Sequence, residues 1–113
     1  MFAFGSIVLV LFPFTDLSGA KRRPGLVVSR DNDRRTDLIL CFITSVPRMG
    51  PDMAPLEPNA RTGLKVASMV RFDKLATLDR SVIAGRIGEA PAAWLAAQRA
   101  MFFKVLGFDS PLQ

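Results

Sequence analysis

Apolar residues fall in short blocks along most of this chain and change period near its end. Residues 6–12 are rich in Ile, Val and Leu and lie between Gly5 and Pro13, which predicts a buried first strand. Residues 13–23 are polar and turn-rich, with Thr15, Asp16, Ser18 and Gly19. A second strand is expected over residues 25–29, a charged turn over 30–37, and a third strand over 38–45. Residues 46–58 hold four prolines and a glycine, so they read as loop with one short edge strand near 53–56. Residues 66–72 and 82–87 read as further strands, with 74–78 extended between them. Short β-runs at close spacing point to a small barrel or sandwich.

The last segment follows a helical period. Trp94, Leu95, Gln98, Met101, Phe102, Val105 and Leu106 recur at spacings of three and four. Pro91 suits the first helical turn and Gly107 the position just past the end. A single helix of about 15 residues follows from this spacing. Trp94 falls on the core stripe. Phe103 lies off it, which fits either a wide stripe within one monomer or a second face packed on a partner.

Charge sharpens this picture. The 113 residues have the size of one domain, 1–113, with one modest core. Fifteen Lys and Arg face ten Asp and Glu, and residues 21–35 supply +4 of the net +5. Clustered positive charge is a footprint for a polyanion, although a solvated loop gives the same composition. Within that window Pro24 fixes its own φ and pushes Arg23 toward an extended conformation. A guanidinium aimed by rigid backbone grips phosphate through two parallel hydrogen bonds.

Other chemistry is bounded by what is missing. The sequence has no histidine, which excludes His-based zinc sites, Ser-His-Asp triads and Cys-His dyads. Cys41 is the only cysteine, so no internal disulfide forms, and its apolar neighbours make it a small buried hydrophobe. A lone thiol also fits a reducing cytosol. The apolar N-terminus lacks a preceding cation and a cleavage site, and is too short to span a bilayer, so it reads as a strand.

Five segments, in order, carry a resemblance. They are Gly5-Ser6-Ile7-Val8-Leu9-Val10 with Phe12-Pro13-Phe14-Thr15-Asp16; Arg22-Arg23-Pro24 with Leu26-Val27-Val28-Ser29; Ile43-Thr44-Ser45; Gly63-Leu64-Lys65-Val66-Ala67-Ser68; and Val70-Arg71-Phe72-Asp73-Lys74-Leu75-Ala76-Thr77-Leu78-Asp79. From Gly5 to Gly107 the chain resembles the PemK/MazF-type toxins of type II toxin–antitoxin systems. The resemblance implies a mainly β (α+β) fold, a small SH3-like β-barrel of the CcdB/PemK/MazF type with a C-terminal helix. It implies a cytoplasmic homodimer that cuts single-stranded RNA at short sequences, without metal or cofactor and with no membrane association. It also implies a cognate antitoxin whose disordered acidic tail blocks the RNA groove.

The resemblance further assigns residues. Arg23 matches the family's catalytic arginine ahead of the second-strand proline, and Thr44 matches the hydroxyl that closes the third strand. Arg71-Phe72-Asp73 matches an Arg-x-Asp pair given catalytic roles in some members. On that basis Arg23 holds the scissile phosphate and Thr44 donates to it. Asp73 accepts the proton of the 2′-OH, and Arg71 tunes Asp73. Arg71 and Asp73 stand two apart, hence on one face of a strand, where an ordinary ion pair is the plainer reading. Lys21, Arg22, Lys65 and Lys74 fit RNA backbone contacts and equally a solvated surface, and Ser45 accompanies Thr44. Phe14 suits either base stacking or core packing. The chain departs from the family at Ser6, where Asp is usual, at Gly25, which is expected to weaken a strand start, and in a first loop without histidine.

Two rival readings stay open. One is a CcdB-like inhibitor that poisons DNA gyrase by binding on the same scaffold; the other is a catalytically silent interaction module. A double-stranded DNA binder is weaker, since the basic window offers no reading helix.

Overall fold

The computed structural model describes residues 2–12, 21–30, 36–45 and 50–109. Six strands and one helix follow in the order β1 (Ser6–Phe12), β2 (Lys21–Val27), β3 (Asp37–Thr44), β4 (Met53–Leu56), β5 (Ser68–Asp79), β6 (Ile83–Glu89) and α1 (Ala92–Val105). A 3₁₀ turn at Arg80–Val82 joins β5 to β6, and the Asp79 carboxylate caps it by accepting from the Ser81 N–H at 2.8 Å. All pairings are antiparallel, in the sheet order β4-β5-β3-β2-β1-β6.

β1 is buried on both faces. Ile7 faces one core with Leu26, Cys41, Ile43, Val70 and Phe72, which the helix covers through Trp94, Leu95 and Phe102. Val8 and Val10 face a second core with Val27, Leu38 and Leu40. Burial on both sides explains why the first apolar block is continuous instead of alternating. Each fully buried aliphatic side chain contributes about 1.5–3 kcal/mol.

Several expected boundaries move for physical reasons. β2 begins at Lys21 rather than Gly25 and ends at Val27 rather than Ser29, because Phe12 through Leu9 pair with Lys21 through Pro24. Gly25 therefore sits inside a strand. The blocks at 66–72 and 74–78 belong to one strand, β5, which starts at Ser68 and leaves Val66 in a loop. Its register with β3 jumps from Cys41↔Leu75 to Phe42↔Arg71, so Phe72, Asp73 and Lys74 form a bulge. Pro91 is the helix N-cap instead of a residue of the first turn. The C-terminus ends as expected: Gly107 takes φ +79°, its N–H donates to the Lys104 carbonyl at 3.1 Å, and Phe108 N–H donates to Phe103 at 2.7 Å.

The sheet is barrel-like yet not closed by hydrogen bonds. Among the described residues no strand pair joins the edges β4 and β6. Instead the turn at residues 57–64 crosses between them, with Glu89 N–H donating to the Arg61 carbonyl at 2.9 Å. No helix among the described residues is long and apolar enough to cross a membrane.

Candidate functional site

The site begins where β2 and β3 part. Their ladder runs Val27↔Leu40, Leu26↔Cys41, Gly25↔Phe42 and stops. The next residue of β2 is Pro24, which has no N–H to donate, so the ladder ends there while the β1 side continues through Leu9↔Pro24. Beyond the fork, Arg22, Arg23 and Pro24 from β2 and Ile43 and Ser45 from the β3 end line a cavity of about 420 Å³. That size falls within the range of small-ligand sites. Leu9 and Ile87 also line it; Ile87 stands in a bulge of β6 opposite the Ile7–Val8 step. Among the described residues the lining carries three cations, Arg22, Arg23 and Lys65, and no acidic side chain.

The far wall is residues 63–66 with Ser68. It hangs on Thr62, which is 1% exposed. The Thr62 hydroxyl donates to the Glu57 carbonyl at 2.8 Å and accepts from the N–H groups of Asn59 at 3.2 Å and Leu64 at 3.4 Å. Asn59 Oδ1 accepts from Arg61 N–H and Thr62 N–H, both at 2.9 Å, which is an Asx-type turn. Gly63 has φ +72°, and a Cβ there would collide with the Ile87 carbonyl; one at Gly88 would collide with the carbonyls of Arg61 and Thr62. The wall is thus pressed against β6 by backbone contact on both sides.

Of the four predicted catalytic residues, only Arg23 lines this cavity. Arg23 and Thr44 each stand two residues past the last β2–β3 pair; by strand alternation they share one sheet face, opposite to the face of Pro24 and Ile43, so the cavity meets Arg23 but not Thr44. Thr44 pairs with Met69. Arg71 continues the same face one row along, in the register Gly25↔Phe42↔Arg71↔Met53. Arg71 binds Asp73 through both carboxylate oxygens, at 3.2 and 2.7 Å. The hydrogen bonds from Arg71 hold the Asp73 carboxyl below its usual range, and the same bonds raise the guanidinium. Both side chains are partly exposed, so the pair adds little stability.

The remaining candidates divide. Arg22, Ser45 and Lys65 line the cavity, whereas Lys74 sits exposed in the β5 bulge away from it. The backbone of Lys21 pairs with Phe12. Phe14 lies outside the described residues, as do the expected loop at 13–20 and Arg34 and Arg35 of the basic window. Ser6 is buried and accepts from Arg86 Nε at 3.3 Å, which gives this position a polar partner without a carboxylate. Cys41 is a buried thiol pushed up to about 12, first by burial and then by the charge of Asp73, which keeps it inert.

Sequence reasoning missed Thr62, Ser68 and Ile87 as builders of the site. Asn59 followed by Thr62 and Gly63 is a turn signal that locates the first of these. Ile87 gives no such signal, because its role comes from a bulge. A second groove, of about 540 Å³, runs between α1 and the sheet. It is lined by Phe4, Phe72, Trp94 and Phe103, with Arg99 as the one cation among the described residues. Trp94 stacks on Phe72 with centroids 6.2 Å apart and donates to the Pro55 carbonyl at 2.7 Å, so it is a core residue as expected.

Residues 3–102 match the family described as PemK-like, MazF-like toxin of type II toxin–antitoxin system. No curated protein sequence matches the chain. The fold is similar to an endoribonuclease in complex with its cognate antitoxin from a mycobacterial species, at 22% identity over 96% of this chain and 98% of that one, with TM-score 0.76. It is similar to Mycobacterium tuberculosis toxin MazF-mt6 at 20% identity over 93% and 99%, with TM-score 0.77. The chain in the MazE–MazF (Form-III) structure from Deinococcus radiodurans is 30% identical over 93% of this chain and 95% of that one, with TM-score 0.74. With the match running through every strand and most of the helix, the chain belongs to the PemK-like, MazF-like toxins of type II toxin–antitoxin systems.

Proposed function

We propose that this toxin is a metal-independent, sequence-specific endoribonuclease that cleaves single-stranded RNA by attack of its own 2′-OH. The observation that carries the reading is the β2–β3 fork, which sets Arg23 on one sheet face with Thr44 and Arg71 and, among the described residues, gathers Arg22, Arg23 and Lys65 around a cavity with no acidic lining. Such a site favours a polyanion. Family membership and the likeness to endoribonuclease toxins support it.

RNA brings its own nucleophile. The enzyme must align the 2′-oxygen with phosphorus, take its proton, stabilise the added negative charge and let the 5′-oxygen leave with a proton. Arg23 pairs with the scissile phosphate and stabilises the charge that develops on it. Thr44 donates a hydrogen bond to the same phosphate. Asp73 accepts the 2′-OH proton, with Arg71 holding it ionised until then; that pairing also lowers its basicity, so the ion pair loosens as the proton moves. The bond from 2′-oxygen to phosphorus forms as the bond to the 5′-oxygen breaks, and the leaving oxygen takes a proton from solvent water, giving a 2′,3′-cyclic phosphate and a 5′-hydroxyl.

The toxin acts in the cytoplasm as a homodimer, and a cognate antitoxin with a disordered acidic tail fills the basic cavity. Exposed Phe103, Leu106 and Phe108 at the end of α1 fit an association surface. Light scattering on the purified protein checks the dimer.

The test is incubation of purified protein with single-stranded RNA in EDTA. Cleavage that survives chelation and is lost in Arg23→Ala supports the reading. A requirement for magnesium overturns it. Gyrase inhibition without RNA cleavage would favour the binding inhibitor instead.

A further inference from the structure

We infer that residues 63–68, clamped by Thr62, are the specificity-determining wall of the cavity, and that Val66 packs on one unpaired nucleobase beside the phosphate held by Arg23. The inference rests on the RNA-cleaving reading and goes beyond it, by naming what selects the sequence. Among the described residues, the wall across the cavity from β2 comes from Ser45 and residues 63–68.

Three observations support it. First, Val66 is 54% exposed at the mouth of a cavity that has cations beside it. An aliphatic side chain left more than half in water next to Lys65 adds little to the core and offers an apolar contact to a base. Second, the segment is fixed before any ligand arrives. Ser68 Oγ donates to the Val66 carbonyl at 2.9 Å, Thr62 ties the turn at three points, and Gly63 and Gly88 let it sit directly on β6. A preordered wall discriminates by shape, because it does not yield to the wrong base. Third, among the described residues the interior pairs aliphatic surfaces (Leu9, Pro24, Ile87) with hydroxyls at Ser45 and Ser68 and holds no amide or carboxylate side chain. Such a pocket measures the size of a base more than the pattern along its edge.

The size of residue 66 should therefore set the choice between purine and pyrimidine at one position next to the cut. Lys65, on the same rigid wall, contacts a flanking phosphate and acts equally on all sequences.

A randomised pool of single-stranded RNA is cut by the full-length protein in EDTA, and the cut sites are mapped by sequencing. Val66→Ala and Val66→Leu are expected to shift the preference at a single position by about tenfold in opposite directions. Lys65→Ala is expected to slow all cuts evenly. Thr62→Ser keeps the wild-type profile, while Thr62→Val blurs it; the Val66 variants decide the matter if Thr62→Val does not fold, since an exposed valine is safe to change. Unchanged relative rates in both Val66 variants overturn the inference, and so does an even loss at every sequence. If wild-type protein cuts no RNA at all, the functional reading itself falls, and this inference with it.

Discussion

At the scale of single residues, the charge on Arg23 and the fork of its guanidinium can be tested separately. Removing a preorganised donor to a developing anion costs on the order of 3 kcal/mol. Arg23→Ala should therefore lower the cleavage rate by about 10²-fold or more, with little change in melting temperature because the residue is exposed. Arg23→Lys keeps the charge but loses the paired geometry and should recover only part of the rate. Asp73 makes a pH-dependent contribution. Its folded value lies below the unfolded one, so its stabilisation is complete above the ordinary carboxylate range and fades as pH falls through the lowered folded value. Asp73→Asn should lower neutral stability slightly, as an exposed pair allows, and flatten the acid side of a stability-against-pH curve by the same small amount, measured by thermal unfolding. The Arg71–Asp73 pair was legible from spacing alone, since residues two apart on a strand share a face. That it forms across a bulge was not.

At the scale of elements, two glycines predict opposite outcomes. Gly25 lies mid-strand without a positive φ, and a Cβ there would meet the Cys41 carbonyl at 3.6 Å, an ordinary contact. Gly25→Ala should raise stability by about 0.4–1 kcal/mol, chiefly by restricting the unfolded chain. Gly63 has a positive φ and no room for a Cβ against Ile87. Gly63→Ala should destabilise by about 1–3 kcal/mol, and the wall at residues 63–68 should show the first loss of hydrogen-exchange protection. Denaturant titration distinguishes the two. The strands themselves were readable because apolar blocks and turn residues mark them. Their ends were not, because pairing with a neighbour carried β2 back to Lys21, across polar residues that no local pattern marks as strand.

At the scale of the whole molecule, the net charge of +5 matters through its placement. Three of the described cations converge on the cavity, so RNA binding should weaken steeply with salt. Fluorescence anisotropy across a salt series should give a slope of log affinity on log salt near −2, by about −0.7 for each phosphate neutralised on a single strand. A flat response would mean that the cations do not touch the backbone. The helix side has a different character. Its groove is aromatic and nearly uncharged, which separates the surface fitted for association from the surface fitted for RNA.

The succession of strands along the chain, the terminal helix, the buried thiol and the arginine ahead of Pro24 could all be read from local pattern, because hydrophobic period, turn chemistry and proline geometry act within a few residues. The five ordered segments also carried the family. Only the folded chain decided which candidates meet. Where the β2–β3 ladder fails for want of an N–H at Pro24, and where a turn bridges two sheet edges over Gly63 and Gly88, residues forty positions apart come to share one cavity. Such convergence depends on register and backbone contact between distant segments, and neither leaves a local trace in the sequence.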